Sequence, residues 1–424
     1  MNYENLLKNR RIGLAVTASV SIYKALELVR LYVKAGADVR VVMSEEAKKF
    51  VSPIMFESLS SHVVLHSQTE SWASEVDGGV SNHIGLAKWA EVFVVAPASA
   101  NTIAKLANAI ADNLMLQTLL ASTAPKVLAP AANTNMIEHP ITKANIKMLT
   151  LCGYDVVDSV SKLLACGDEG KGGLADVEDI FLATARALLR EEFWEYRNAV
   201  VTGGGTMERI DDVRYIGNFS SGKMADALAV ALYVKGADVR LVSSKSSLNS
   251  AVIKKIGFES GAELKTRLEG LMEGAKLPKS TAPSLLTSEP VRPIAKEPYL
   301  FMAAAVGDYA PSQKTDGKIK KADSESLTLE LAKTVDIVAS LKKEGIKTVA
   351  FKAELDGQNC LKNAKKALKD KGVDAVCLNV LGGEINFGSD ENEVVFVDKT
   401  GEHGIDRADK LTVALKILEN AKRL

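Results

Sequence analysis

The chain has 424 residues, 47% of them hydrophobic, with 53 Lys and Arg against 53 Asp and Glu. That length supports two cores, while the charge balance excludes a global field that would steer the protein to nucleic acid or to an acidic membrane. Cys152, Cys166, Cys360 and Cys377 stand far apart with no CxxC pair, which argues against a zinc knuckle or a disulfide framework and fits a reduced cytosol. Met1 to Arg11 has no apolar signal core, and no later apolar run reaches the roughly 20 residues a membrane span needs, so a cytoplasmic, non-membrane protein is expected.

Taken in order, Ile12 to Thr17 is an apolar run of strand length, followed by a small-residue turn from Ala18 to Ser21. Helical periodicity runs from Tyr23 to Ala35 and stops at Gly36, and Asp38 to Met43 is the next strand. This is a βαβ opening, which implies parallel strands and a right-handed crossover. Val92 to Ala96 and Lys126 to Ala129 are further strands that end at Pro97 and Pro130. The small polar residues Ser99, Asn101 and Asn133 follow them at strand-to-helix corners. With Ser19 and Ser44, these corners belong at one edge of a doubly wound sheet, a pattern that suits a flat phosphorylated ring. Helices over Ile141 to Leu151 and Val177 to Glu192 close a first domain, residues 1–192, with a junction at Phe193 to Arg197.

The second domain, 193–424, begins with AVVTGGGTMERIDDVRYIGNFSSGKMA over Ala199 to Ala225. A buried strand enters the glycine turn Gly203 to Gly205, and a polar loop with Arg209, Asp211, Asp212, Arg214 and Asn218 precedes the helical run from Met224 to Val234. A loop so placed reads as a binding loop. The phrase LYVKAGADVRVV at Leu31 returns as LYVKGADVRLV at Leu232, so both domains share one helix-to-strand passage. Elements of both kinds then alternate over Leu264–Glu273, Leu300–Ala304, Val335–Lys343, Thr348–Phe351, Cys360–Lys371, Ala375–Asn379, Val394–Val397 and Lys410–Lys422. Lys276 to Pro298 has loop composition, with five prolines among Ser and Thr, and reads as a surface excursion. The fold class is therefore α/β, two doubly wound, mostly parallel sheets in tandem, Rossmann-like or flavodoxin-like.

Several residues invite chemistry, each beside a plainer role. GNFSSGK from Gly217 to Lys223 has phosphate-loop spacing, but Met224 stands where Ser or Thr should hold magnesium. His83 opens the helical HIGLAKWA, either as a capping residue or with its ring facing a pocket. Cys166, in the glycine-rich ACGDEGKGG, is either an accessible thiol or a tolerated loop cysteine, unlike the apolar settings of Cys360 and Cys377. Asn133 suits a turn or cap as well as a ligand, and Lys318, Lys320 and Lys321 suit a solvated loop.

Together these stretches resemble the bacterial fusion of phosphopantothenoylcysteine decarboxylase with phosphopantothenate–cysteine ligase, in coenzyme A biosynthesis. SNHIGLAKWAEVFVVAPASANTIAKLANAIADN, PAANTNM and ACGDEGKG are similar to the decarboxylase motifs, and DDVRYIGNFSSGKM, AAVGDY and KIKK to those of the ligase. The resemblance implies FMN held by Ser19, Ser44, Ser99 and Asn101. It gives His83 the acid–base work of substrate oxidation, Asn133 the substrate carboxylate and Cys166 the final proton.

For the ligase it implies CTP with Mg2+, 4'-phosphopantothenate and L-cysteine. Asp308, Phe351 and Lys318 fall at the nucleotide, Lys366 and Lys371 at its phosphates, and Arg214 and Asn218 at phosphopantothenate and its acyl-phosphate. Lys318 and Asn218 also count as catalytic. No metal ligand is assigned, and a homo-oligomer, a dodecamer, is expected. Departures from the family pattern are Ala18, Ser19, Ala132 and Ile137 in the first half and Thr334, Val335 and Lys352 in the second. Two other readings stay open: a flavin-binding regulator without turnover, and a kinase using the GNFSSGK loop.

Overall fold

Continuous apolar runs form the central strands, as expected where helices cover both faces of a sheet. A computed structural model describes residues 1–73, 80–163, 167, 169–286, 291–320, 326–354, 359–380 and 388–424. The first sheet holds β1 (Arg11–Val16), β2 (Asp38–Met43), β3 (Val92–Ala98), β4 (Lys126–Pro130) and β5 (Tyr154–Val156), all parallel in the order β2-β1-β3-β4-β5. Around it lie α1 (Tyr23–Lys34), α2 (Pro53–Ser60), α3 (His83–Trp89), α4 (Ala100–Ala107), α5 (Leu114–Ala121), α6 (Thr134–Glu138), α7 (Pro140–Leu151) and α8 (Val177–Leu189). An antiparallel ribbon of β6 (Val160–Leu163) and β7 (Glu169–Gly173) stands apart from the sheet.

The second sheet has eight strands: β8 (Asn198–Gly203), β11 (Asp238–Ser243), β12 (Lys254–Ile256), β15 (Tyr299–Met302), β18 (Lys347–Glu354), β19 (Ala375–Val380), β20 (Glu391–Asp398) and β21 (Glu402–Asp409). Their order is β12-β11-β8-β15-β18-β19-β20-β21, parallel as far as β19 and antiparallel beyond it. The intervening numbers belong to three small ribbons: β9 (Met207–Arg209) with β10 (Tyr215–Gly217), β13 (Lys279–Ser280) with β14 (Pro293–Ile294), and β16 (Tyr309–Pro311) with β17 (Leu331–Lys333). The helices are α9 (Lys223–Val234), α10 (Gly261–Ala275), α11 (Ile337–Ser340), α12 (Cys360–Asp370) and α13 (Lys410–Ala421). Both strand orders are of the doubly wound kind, and each reverses beside its first strand, between β1 and β3 and between β8 and β15.

The repeated phrase takes one shape twice. After α1, Gly36 adopts φ +85°, with Gly36 N donating to Val33 O (3.0 Å) and Ala37 N to Tyr32 O (3.1 Å). After α9, Gly236 adopts φ +106°, with Gly236 N donating to Tyr233 O and Ala237 N to Leu232 O, both 3.0 Å. A left-handed residue capping a helix explains the glycine in both.

The halves meet through side chains rather than a bare linker. Arg186 on α8 donates to the carbonyls of Tyr233, Gly236 and Ala237 at 2.7–2.8 Å, so a cation sits at the carboxyl end of α9. Asp179, 2% exposed, accepts from Ser250 Oγ (2.6 Å) and Ala251 N (3.1 Å). At the junction Trp194 is fully buried, and the Arg197 guanidinium lies 4.2 Å from the centre of the Phe193 ring.

Three expectations need adjustment. The helix expected to run to Glu192 ends at Leu189, where Arg190 turns to extended backbone (ψ 144°). The helix expected over Val335 to Lys343 shrinks to α11, which Asp336 caps by accepting from Ala339 N (3.0 Å). The Pro-rich excursion carries the β13–β14 ribbon, and its Leu285 N donates to Leu151 O in the first half (2.7 Å).

Two candidate active sites at the carboxyl edges

At the first edge, neighbouring strand ends are stitched together. Ser44 N donates to Val16 O (3.1 Å), joining the ends of β2 and β1. Thr17, 1% exposed, spans the point where the strand order reverses: its hydroxyl donates to Pro97 O (2.7 Å) and accepts from Ser99 N (3.0 Å). Ala131 N donates to Ala98 O (2.9 Å), joining β4 to β3. Short polar side chains cap the turns that follow: Ser19 accepts from Ser21 N (3.3 Å), Ser44 from Ala47 N (3.3 Å), Ser99 from Thr102 N (3.3 Å) and Asn133 from Asn135 N (2.9 Å). Asn101 is exposed in the first turn of α4. The four residues expected to hold a flavin therefore share this edge with Asn133, and each serine also serves as a cap.

His83 is the first residue of α3, which Asn82 caps by accepting from Gly85 N (2.8 Å). Its Nδ1 lies 2.7 Å from Glu70 Oε1, its backbone N donates to the same oxygen (3.3 Å), and the Trp72 ring meets it edge-on at 5.4 Å. Imidazole and carboxylate are both about one-fifth exposed. A carboxylate on Nδ1 sets the tautomer and leaves Nε2 as the working nitrogen. The Glu70 loop is tied to β2, since Met43 N donates to Leu65 O (3.0 Å) and Ser67 Oγ to Glu45 Oε1 (2.7 Å), so the pair belongs to the Ser44 side of the edge. On the far side the β6–β7 ribbon lies over the start of α6, with Ala132 N donating to Gly172 O (3.1 Å). Cys166 lies outside the described residues.

At the second edge the glycine turn crosses directly to β15. Gly204 has φ +75°, its carbonyl accepts from Ala305 N (2.8 Å), and a Cβ there would fall 2.2 Å from Ser244 Oγ. Thr206 N donates to Ala305 O (3.1 Å) and Gly307 N to Thr206 Oγ1 (3.0 Å). Asn218 Nδ2 donates to Val306 O (3.0 Å), which fixes its amide plane over the same strand end.

Arg214 is engaged inside the protein. Its guanidinium donates twice to Asp211 Oδ2 (3.0 and 2.7 Å) and once to Ile319 O (2.7 Å). Asp211, 1% exposed, also accepts from the amides of Val213, Arg214 and Ile319. Burial would push its carboxyl up, but these amides and the guanidinium hold it well below the ordinary carboxylate range. Gly317 N donates to Asp212 Oδ2 (2.9 Å), so residues 210–214 and 315–319 are held as one unit. Lys318, exposed on that unit, is not among the residues lining either cleft described next.

Two clefts flank the ends of β15 and β18. One, of about 500 Å3, is lined by Asn218, Asp308, Thr334, Phe351, Lys352 and Lys371 among others. The second, of about 170 Å3, is lined by residues 219–222, Asn379, Asn392 and Lys410. Ala304, Ala305, Phe351, Lys352 and Ala353 belong to both. Lys371 pairs with Asp336 (3.2 Å), whose carboxyl burial would raise but which the Ala339 amide and Lys371 hold low. Thr334, a departure from the family pattern, donates to Gly307 O (2.6 Å), and its N donates to Asp308 O (2.9 Å), closing the cleft rim.

The expected residues Asn218, Asp308, Phe351 and Lys371 are thus brought together, whereas Lys366 is exposed on α12, outside both clefts in a separate open groove. Lys223 does not reach toward a phosphate: its ammonium binds Asp390 (2.6 Å) and Gly388 O (2.9 Å), and β10 before the GNFSSGK turn is a ribbon strand rather than a sheet strand. Thr17 and Glu70 were missed, and Asp211 was named in the binding loop without its role as the acceptor that holds Arg214. A strand-ending Thr before small residues is a signal in both IGLAVT and AVVT, whereas nothing in the sequence pairs Glu70 with a histidine 13 positions away. Among the described residues, no helix is long and apolar enough to cross a membrane.

Residues 1–189 match the Flavoprotein family, and residues 194–283 and 281–424 match the DNA/pantothenate metabolism flavoprotein C-terminal domain. The chain is 37% identical to the Coenzyme A biosynthesis bifunctional protein CoaBC of Bacillus subtilis (strain 168) over 99% of its own length and 98% of that protein's. Among solved structures, it is similar to a mutant PPC decarboxylase complexed with pantothenoylaminoethenethiol, at 31% identity over 43% of this chain and 98% of that one, with a TM-score of 0.38. It is also similar to the FMN binding protein AtHal3, at 32% identity over 43% and 97% of the two chains, with a TM-score of 0.37.

Proposed function

The chain belongs to the family of bifunctional coenzyme A biosynthesis proteins, and from that premise we propose how its two edges divide the work. Near the GNFSSGK loop, 4'-phosphopantothenate is joined to L-cysteine with CTP; at the first edge the product is decarboxylated with FMN to 4'-phosphopantetheine and CO2. One observation carries the division. A single chain holds two edges where strand order reverses, one made of neutral caps beside an oriented histidine and the other of lysine-lined clefts.

The first edge fits a flavin mononucleotide by the chemistry of its donors. Ser19, Ser44, Ser99 and Asn101 are short neutral groups beside backbone amides and the start of α4, which suit a phosphate and a polar ring margin. The flavin, when bound, supplies reversible two-electron acceptance, so that the carboxylate leaves from a carbon whose charge delocalises onto an oxidised sulfur. His83 handles the thiol proton through Nε2 while Glu70 holds Nδ1, Asn133 binds the departing carboxylate, and Cys166 returns the last proton.

At the second edge, a carboxylate at neutral pH resists attack until its oxygen is converted into a leaving group. Transfer of the cytidylyl group to phosphopantothenate releases pyrophosphate; cysteine's amine then attacks the acyl carbon and CMP leaves. Asn218 and the Arg214 unit hold the acid, Asp308, Phe351 and Lys371 the nucleotide, and Lys318 closes over the triphosphate, with Mg2+ offsetting its charge. Lys366 remains a weaker, outlying phosphate contact. The reading includes a cytoplasmic homo-oligomer, a dodecamer, with domains at 1–192 and 193–424.

The test is direct. Purified protein should be yellow and release FMN on denaturation, and CTP-dependent joining should release pyrophosphate and CMP, followed by CO2. Phosphoryl transfer with γ-phosphate release would favour a kinase, and bound flavin without CO2 from phosphopantothenoylcysteine would favour a regulator.

A further inference from the structure

Lys352 stands where the family usually has a small residue, at the seam of the two clefts. Among the described residues it is the one charged side chain lining both. Strand periodicity puts Ala350, Lys352 and Glu354 on one face of β18, and Ala350 there belongs to the core beneath α12. The ammonium lies 2.9 Å from Glu354 Oε1, which also accepts from Asn363 Nδ2 on α12 (3.2 Å).

The other cations near the seam line one cleft only or neither, Lys333 and Lys371 the larger and Lys410 the smaller. Lys371 is held by Asp336, Lys223 by Asp390, and Lys410 donates to the carbonyls of Ser389 and Glu391. Lys318 lines neither cleft. The side chains of Lys352 and Glu354 are 35% and 19% exposed, so the lysine still reaches water and can exchange one carboxylate for the higher charge of an oligophosphate.

Resting on the ligase reading above, we propose that Lys352 determines nucleotide affinity: on CTP binding its ammonium leaves Glu354 and pairs with the phosphate chain where that chain crosses from one cleft to the other. An acyl-cytidylate forms only where the acid carboxylate meets the α-phosphate, and the cleft bearing Asn218 and the cleft bearing the 219–222 turn meet at this residue. Glu354 is then the resting counterion, a competitor of the nucleotide rather than part of its site.

That exchange predicts opposite signs for two neighbouring substitutions. With steady-state pyrophosphate release as the assay and flavin content as the folding control, Lys352→Met should raise KM for CTP roughly tenfold and leave KM for 4'-phosphopantothenate within about twofold. Glu354→Gln keeps an acceptor for Asn363 and should lower KM for CTP. The proposal is overturned if Lys352→Met leaves KM for CTP unchanged, if its effect falls on 4'-phosphopantothenate instead, or if Glu354→Gln raises KM as Lys352→Met does. A wild-type protein releasing no pyrophosphate from any nucleoside triphosphate would overturn the ligase reading itself, a failure visible before any variant is made.

Discussion

A threonine marks the end of the first strand's apolar run in each half, and the two do related work in different settings. Thr17 bridges to Pro97 and Ser99 by its hydroxyl, and the edge around it is closed largely by uncharged groups. Thr202 accepts from Ala304 N (3.1 Å), but beyond it backbone bonds from the glycine turn to Ala305, and then carboxylates paired with cations, hold the loops. Neutral closure suits a large, flat, tightly kept ring; ionic closure suits a polyanion that must enter and leave at every turnover. Both sheets reverse order beside their first strand, and two chemistries are served there by loops that differ in charge as well as in path.

The strongest way to break this contrast is at Asp211. Asp211→Ala leaves Arg214 and the amides of Val213 and Ile319 without their shared acceptor, and pyrophosphate release should fall by roughly a hundredfold or more while CO2 release from supplied phosphopantothenoylcysteine persists. Equal loss of both activities would mean the unit supports the whole fold rather than one edge. Next comes Glu70→Gln, which keeps size but removes the charge behind His83. CO2 release should drop on the order of tenfold to a hundredfold with flavin still bound and ligation intact, and an unchanged rate and pH profile would show that the imidazole needs no partner.

Thr17→Val should weaken flavin retention by roughly tenfold, because a donor and an acceptor lose their bridge where the strand order reverses; measured Kd equal to wild type would assign the bridge to fold alone. The smallest effect is that of acid. Asp211 and Asp336 are both held below the ordinary carboxylate range, so their stabilisation is complete above the unfolded value of about 4 and disappears as pH falls through the lowered one. Pyrophosphate release, which needs both loops ordered, should therefore decline in that acidic window before flavin is lost, as followed by parallel pyrophosphate assays and flavin absorbance. The opposite order would contradict the contrast.

Much of this was legible from residue pattern. β2 and the ends of α7 and α9 fall within a residue of where apolar periodicity puts them, because β2 and α9 are buried along most of their length, while α7 buries only Leu149 and is bounded instead by Pro140 and Gly153. β21 was missed because its sequence, EHGIDRAD, has few apolar residues: it is the outermost strand, paired only to β20. The first-edge serines were legible as strand-to-helix corners, for small polar caps follow from local geometry. Arg214 was legible as part of the polar loop, but its partners Asp211 and Ile319, the latter 105 positions away, were not; a guanidinium's choice among acceptors is settled only by tertiary contact.

The nearly all-apolar character of α9 has a consequence for the whole chain. Buried residues occupy almost every position from Ala225 to Val234, because the second sheet, α13 and α8 of the first half all pack against this one helix. A chain cut after Leu189 would leave an oily flank on each fragment, and a nick in the connecting peptide would not let the pieces drift apart. The protein should consequently melt as a single calorimetric event, with both catalytic functions surviving or disappearing together on heating.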